Sequence, residues 1–145
     1  MGLRFTLQHG SRVLLDFPLS ESEWKPSTKE LIMKELDDSE ADMDALCEIC
    51  DFFSNKRRVQ MLNHLIKNCN NSASFTDLLK VGVNPKYVSD LVNRNSRREL
   101  VVKDRKGYRL SPVGLGSFLL LSLATRRLLK ESDSINDDDK SFEEQ

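Results

Sequence analysis

Residues 84–116 read NPKYVSDLVNRNSRRELVVKDRKGYRLSPVGLG, and the order of signals in this stretch decides the fold. Asn84 is a strong helix cap, and Pro85 falls in the first helical position, where its missing N–H costs nothing. A helix is therefore expected from Asn84 to about Arg98. Val88, Leu91 and Val92 recur at helical spacing as its inward face, which leaves Lys86, Ser89, Asp90, Asn93, Arg94 and Arg97 outside. Leu100–Val102 and Tyr108–Leu110 are short extended runs on either side of Lys103, Asp104, Arg105, Lys106 and Gly107, the pattern of a hairpin with a basic tip. Ser111 and Pro112 then cap and open another helix.

Upstream, a helix is expected from about Asn55 to Asn68 with Ser54 as its cap. Val59, Leu62, Leu65 and Ile66 form its inner face, and Lys56, Arg57 and Arg58 open its outer face. Asn68, Asn70, Asn71 and Ser72 end it. Ser74 caps a short helix to Lys80, with Asp77 at its third position, and Val81, Gly82 and Val83 are expected to form a tight turn. Two short helices joined by a tight turn and followed by a basic ribbon form a single unit, assigned to residues 54–130.

The preceding residues, 1–53, alternate apolar and polar side chains as Leu3, Phe5, Leu7 and Val13, Leu15, Phe17 around His9, Gly10 and Ser11. That is the pattern of a β-hairpin with a three-residue turn. A lone two-stranded ribbon is marginal in water, so its apolar faces need the rest of the chain or a second copy. A helix is expected over Ser27–Leu36 from the capping box of Ser27 and Glu30, and another over Glu40–Phe53. The second carries Met43, Leu46, Cys47, Cys50 and Phe53 on one stripe.

Charge is segregated along the chain. The net charge of −1 hides 5 Lys or Arg against 12 Asp or Glu in residues 1–53, 13 against 4 in residues 54–110, and 4 against 7 in residues 111–145. A basic block of net +9 between acidic flanks suits a surface that neutralises backbone phosphates, although a solvated basic face carries the same composition.

The order of elements resembles a winged helix-turn-helix, and the ArsR-like branch in particular, most of all its archaeal members. The residues that carry the resemblance lie within 53–116. Phe53-Ser-Asn-Lys-Arg-Arg-Val-Gln-Met-Leu-Asn-His-Leu is similar to the family's first domain helix, and Ser74-Phe-Thr-Asp-Leu to the entry into its second. Asn84-Pro-Lys-Tyr-Val-Ser is similar to the start of the recognition helix, and Gly107-Tyr-Arg-Leu-Ser-Pro-Val-Gly to the end of the wing. Asn95 stands where that family carries an aliphatic core residue, and Glu99 where a helix-ending glycine is usual.

The resemblance implies a winged helix-turn-helix; with the N-terminal β-hairpin and helices, which match nothing in that family and are read from periodicity and capping, the chain is expected to be mainly α with small β elements. The resemblance also implies double-stranded DNA as partner. On that reading Lys86, Tyr87, Ser89, Asp90, Asn93, Arg94 and Arg97 face the major groove. Lys103, Arg105 and Lys106 hold the flanking backbone, and Lys56 and Arg57 touch phosphates. The competing expectation is a winged helix that docks proteins and leaves its basic face unused.

The last helix is apolar on nearly every face from Phe118 to Ala124, so one side is expected on its own domain and the other on a symmetry mate. The result would be a homodimer through this helix, with the N-terminal hairpin as a possible second contact. The longest nearly uncharged apolar stretch, Val113 to Ala124, is short of the roughly 20 residues that span a bilayer. No secretory signal pattern opens the chain, so a cytoplasmic protein without membrane contact is expected. Residues 131–145 are polar and acidic and are expected to be a disordered tail.

Three cysteines form no secreted scaffold. Cys47 and Cys50 make a C-x-x-C, but only Cys69, His64 and His9 remain to complete a zinc site. Their place on the apolar stripe predicts buried core thiols, the competing reading being a metal or redox sensor site, and no metal or other cofactor is expected. The metal-sensing members of the resembled family carry cysteines in the recognition helix, and this one has none there. With two histidines, no glycine-rich phosphate loop and no nucleophile-base pair, no catalytic residue and no enzyme activity are expected.

Overall fold

The computed structural model describes residues 2–82, 84–93 and 99–132. The chain is mainly helical with two small antiparallel hairpins, and it divides into two compact units, Met1–Asp44 and Ala45–Gln145.

In the first unit β1 (Arg4–His9) pairs with β2 (Arg12–Pro18). His9 pairs with Arg12, so the turn is two residues long, Gly10 and Ser11, rather than the three expected; Gly10 supplies the positive φ of 64° that such a tight turn requires. The register passes from Leu7↔Leu15 to Gln8↔Val13, which makes Leu14 the extra residue of a β-bulge. Phe5 stacks on Phe17 with centroids 5.6 Å apart on one face, and Arg4 bridges to Asp16 at 2.9 Å on the other. The Trp24 indole donates to the Pro18 carbonyl at 2.8 Å and closes the end of the ribbon.

Helix α1 (Pro26–Ala41) corrects the expected Ser27–Leu36 element at both ends. Pro26, with its fixed φ, takes the first helical position, so Lys25 is the cap residue without a side-chain cap bond and Ser27 lies inside the helix. No residue of α1 is buried.

Helix α2 (Met43–Phe52) turns its expected core stripe outward, except for Phe53 just past its end, which packs inward as expected. Met43, Leu46, Cys47 and Cys50 are exposed, whereas Phe52 is 2% exposed and Ile49 and Phe53 pack against the core. The two aromatic rings decide the orientation: Phe53 meets Phe52 edge-on at 5.1 Å and lies 6.3 Å from Phe118. The expectation of buried thiols is therefore overturned.

The second unit is built on α3 (Lys56–Cys69), α4 (Phe75–Gly82) and α5 (Pro85–Asn93), followed by β3 (Val101–Asp104), β4 (Gly107–Leu110) and α6 (Pro112–Leu119). Its core joins Met61, Leu62 and Leu65 of α3 to Leu78, Val88 and Leu91, with Leu100, Val101 and Leu110 from the hairpin. Burying each such leucine contributes about 1.5–3 kcal/mol. The cap of α3 is Asn55, whose side chain accepts from the Arg58 N–H at 3.1 Å. Ser54, expected in that role, instead donates to the Asp51 carbonyl. Arg58 is also not on the outer face: it is 7% exposed, and its guanidinium donates to the Phe52 carbonyl at 2.8 Å.

Helix α4 opens with the expected capping box, Ser74 and Asp77 each accepting from the other's backbone N–H at 3.1 Å. Val81 and Gly82 continue this helix instead of turning, and Val83 lies outside the described residues. Ser111 caps α6 by accepting from the Gly114 N–H. From Leu120 to Thr125 the same helix is π-helical, and it runs on to Ser132, past the expected start of the tail at residue 131; residues 133–145 lie outside the described residues. At 21 residues, with a mean hydropathy of 1.2 over its most apolar window, Pro112–Ser132 is long and apolar enough to cross a membrane by length and composition alone. Arg126, Arg127 and Lys130 confine its uncharged part to residues 112–125.

Candidate nucleic-acid interface

The first turn of α3, helix α5 and the β3–β4 ribbon carry the basic side chains, and backbone pairing holds the ribbon against the connection between α3 and α4. Between α3 and α4, Ala73 pairs antiparallel with Tyr108: the Ala73 N–H donates to the Tyr108 carbonyl at 2.9 Å, and the Tyr108 N–H to the Ala73 carbonyl at 2.7 Å. Asn71 extends this seam, its side-chain N–H donating to the Leu110 carbonyl and its oxygen accepting from the Leu110 N–H at 2.8 Å. Asn70 and Asn71 both adopt left-handed φ, 50° and 58°, which asparagine tolerates better than most residues. The ribbon is thus stitched to the α3–α4 connection and does not hang free.

The ribbon's tip is organised by Asp104. One carboxylate oxygen accepts from the Lys106 and Gly107 N–H groups at 2.8 and 3.2 Å, and the other pairs with Arg109 at 3.2 Å. Gly107 has φ +136°, and a Cβ there would stand 2.4 Å from the Ala73 oxygen, so the tight approach to Ala73 needs glycine. Lys103 lies over the Tyr108 ring at 5.5 Å, and Arg105 and Lys106 are exposed at the turn. Arg109 is a basic residue of this ribbon that did not figure among the candidates. Its position on β4 opposite Val102, together with its charge, was the available signal.

Helix α5 begins as expected, with the Asn84 side chain accepting from the Lys86 N–H at 2.9 Å. Val88 and Leu91 are buried, and Lys86 and Asn93 are exposed. Ser89 and Asp90 are half-buried, and Asn93 donates to the Ser89 hydroxyl at 2.9 Å along the helix. Arg57, exposed on the first turn of α3, stacks its guanidinium over Tyr87 of α5 at 4.3 Å. That contact joins the expected phosphate-contacting turn, Lys56 and Arg57, to the start of the expected recognition helix. Arg94 and Arg97, expected on the same helix, lie outside the described residues, as does Asn95. Glu99 holds a left-handed φ of 49°, the conformation for which a helix-ending glycine is usual.

Among the described residues no group of three or more His, Cys, Asp or Glu side chains could hold a metal. Asp77 on α4 has its carboxyl held below the usual carboxylate range, first by the Ser74 N–H and then by the Ser74 hydroxyl. No protein-family model matches the chain, and neither a curated protein nor a solved structure is detectably similar to it.

Proposed function

We propose that this chain is a DNA-binding transcription regulator of the winged helix-turn-helix type, of the ArsR-like branch, cytoplasmic and without enzymatic activity. Helix α5 enters the major groove, with Lys86, Tyr87, Ser89, Asp90 and Asn93 reading or positioning, and Arg94 and Arg97 belong to the same set. The ribbon lays Lys103, Arg105 and Lys106 along the flanking backbone, and Lys56 and Arg57 take phosphates.

The observation that carries this reading is the stitching of Ala73 and Asn71 to the basic ribbon. It holds the basic ribbon against the α3–α4 connection, in a unit where Lys56, Arg57, Lys86, Lys103, Arg105 and Lys106 are exposed. The charge balance adds to it: residues 54–110 are basic while the flanks are acidic.

A twofold dimer completes the proposal. Leu120, Leu121, Leu123 and Leu128 are between 40 and 58% exposed on the last helix, more apolar surface than a monomer keeps in water without cause. Two copies would present two α5 helices to successive half-sites.

Fluorescence anisotropy on random duplex DNA across a salt series tests this. Tight binding with a steep salt slope, weakened in a Lys86→Ala, Asn93→Ala variant, is expected. Absence of binding at low salt would favour the protein-docking reading instead.

A further inference from the structure

We propose that Cys47 and Cys50 form a surface dithiol that a low-molecular-weight disulfide closes to a disulfide within α2. Both thiols are exposed, whereas Cys69, at the end of α3, is half-buried against the core. They stand three residues apart on one regular helix, Met43–Phe52. Three helical residues advance about 4.5 Å along the axis and come around to the same side, so the two Cα atoms lie about 5 Å apart. That falls inside the roughly 4.4–6.8 Å across which a disulfide forms.

The same geometry points away from a tetrahedral metal. A helix offers two of the four ligands a structural zinc needs, and the described residues contribute no third group. What remains available to the pair is two-thiol chemistry.

The step balances without a metal or an enzyme. One cysteine, as thiolate, attacks a sulfur of the external disulfide, forming a mixed disulfide and expelling one thiolate. The neighbouring cysteine, as thiolate, attacks the protein-side sulfur and expels the second. Two protein thiols are oxidised, the external disulfide is reduced to two thiols, and the two protons released by the protein end on them.

Closure must draw the side chains together from the roughly 5–6 Å Cβ spacing of helical neighbours to about 3.8 Å. Cys50 stands two residues from the end of the helix, so closure strains its last turn rather than its middle. The Phe52 carbonyl is also the acceptor for buried Arg58, which ties this turn to the start of α3.

The test is tryptic mapping of the full-length protein after incubation with oxidised glutathione, without reductant in the digest. Cys47 and Cys50 share the peptide of residues 35–56, and Cys69 lies in that of residues 68–80. The expected result is a 35–56 peptide lighter by two hydrogens, restored by dithiothreitol, with Cys69 unmodified. Cys47→Ser and Cys50→Ser should each stop at the mixed disulfide. A wild-type protein that retains the mixed disulfide on either cysteine, links covalently to a second chain, or keeps both thiols free would overturn the proposal. None of these outcomes depends on whether the protein binds DNA.

Discussion

The guanidinium carbon of Arg57 lies 4.3 Å from the centroid of the Tyr87 ring. Stacking leaves the N–H edges of the guanidinium free, so the side chain keeps its charge for a phosphate while its direction is fixed by α5. Arg57→Ala is expected to weaken DNA binding about equally across sequences and to lower the salt slope by about one phosphate contact, roughly 0.9 in log–log terms. Tyr87→Phe should preserve affinity, because a phenyl face still stacks. Anisotropy salt series on two unrelated duplexes check this; an unchanged slope for Arg57→Ala would remove Arg57 from the interface.

Gly107→Ala should unfold the attachment of the ribbon. It combines an unfavourable φ with a Cβ 2.4 Å from the Ala73 oxygen, and Asn71→Ala removes both bonds to Leu110. Each substitution is expected to cost about 1–3 kcal/mol, read from urea midpoints at constant m-value. Stability unchanged within error would mean that the ribbon is not stitched to this seam.

A similar test applies where α6 crosses the ribbon. The Cβ of an alanine at Gly114 would lie 2.3 Å from the Leu100 oxygen, backbone that cannot swing aside. Gly114→Ala should lower the melting temperature, whereas Gly116→Ala, with nothing within 4 Å, should leave it unchanged or raise it. Equal effects at the two glycines would contradict this packing.

The capping box of α4 has a pH signature. The folded-state pKa of Asp77 is lowered, chiefly by the Ser74 N–H, so its contribution is present above the ordinary carboxylate value and lost as pH falls through the lowered one. Asp77→Asn should remove that part of the acid dependence while leaving the neutral-pH fold intact. Acid unfolding curves followed by circular dichroism would show the two proteins converging at low pH; parallel curves would refute the assignment.

Self-association is testable through the last helix. Leu120→Glu combined with Leu123→Glu changes two exposed side chains and no core contact, so the protomer should stay folded. Sedimentation is expected to show a dimer for the natural chain and a monomer for the variant. A monomeric natural chain would end the dimer proposal.

Local chemistry made much of the second unit legible. Asn84 and Pro85, Ser74 and Asp77, and Ser111 and Pro112 are short-range capping signals whose partners lie within three residues, and each starts a helix where expected. The alternation around Gly107 similarly gives the ribbon. Orientation was harder to read. Both sides of α2 carry apolar residues, and choosing the buried one requires knowing that Phe118, some sixty-five residues on, packs with Phe53. Arg58 was misplaced for a related reason: a charged residue reads as exposed unless a carbonyl is known to await it, and the Phe52 carbonyl is supplied by the preceding helix's end.

The candidate site divides in the same way. The sequence by itself determined which residues are basic, where α4 and α5 begin, and that a ribbon follows, because charge, caps and turns are properties of neighbouring residues. Only the tertiary structure decided that Arg57 rests on Tyr87, that Asn71 and Ala73 hold the ribbon, and that Cys47 and Cys50 face solvent. Those relations join residues distant in sequence, and they are settled by which apolar faces close the core and which backbone groups are left needing a partner.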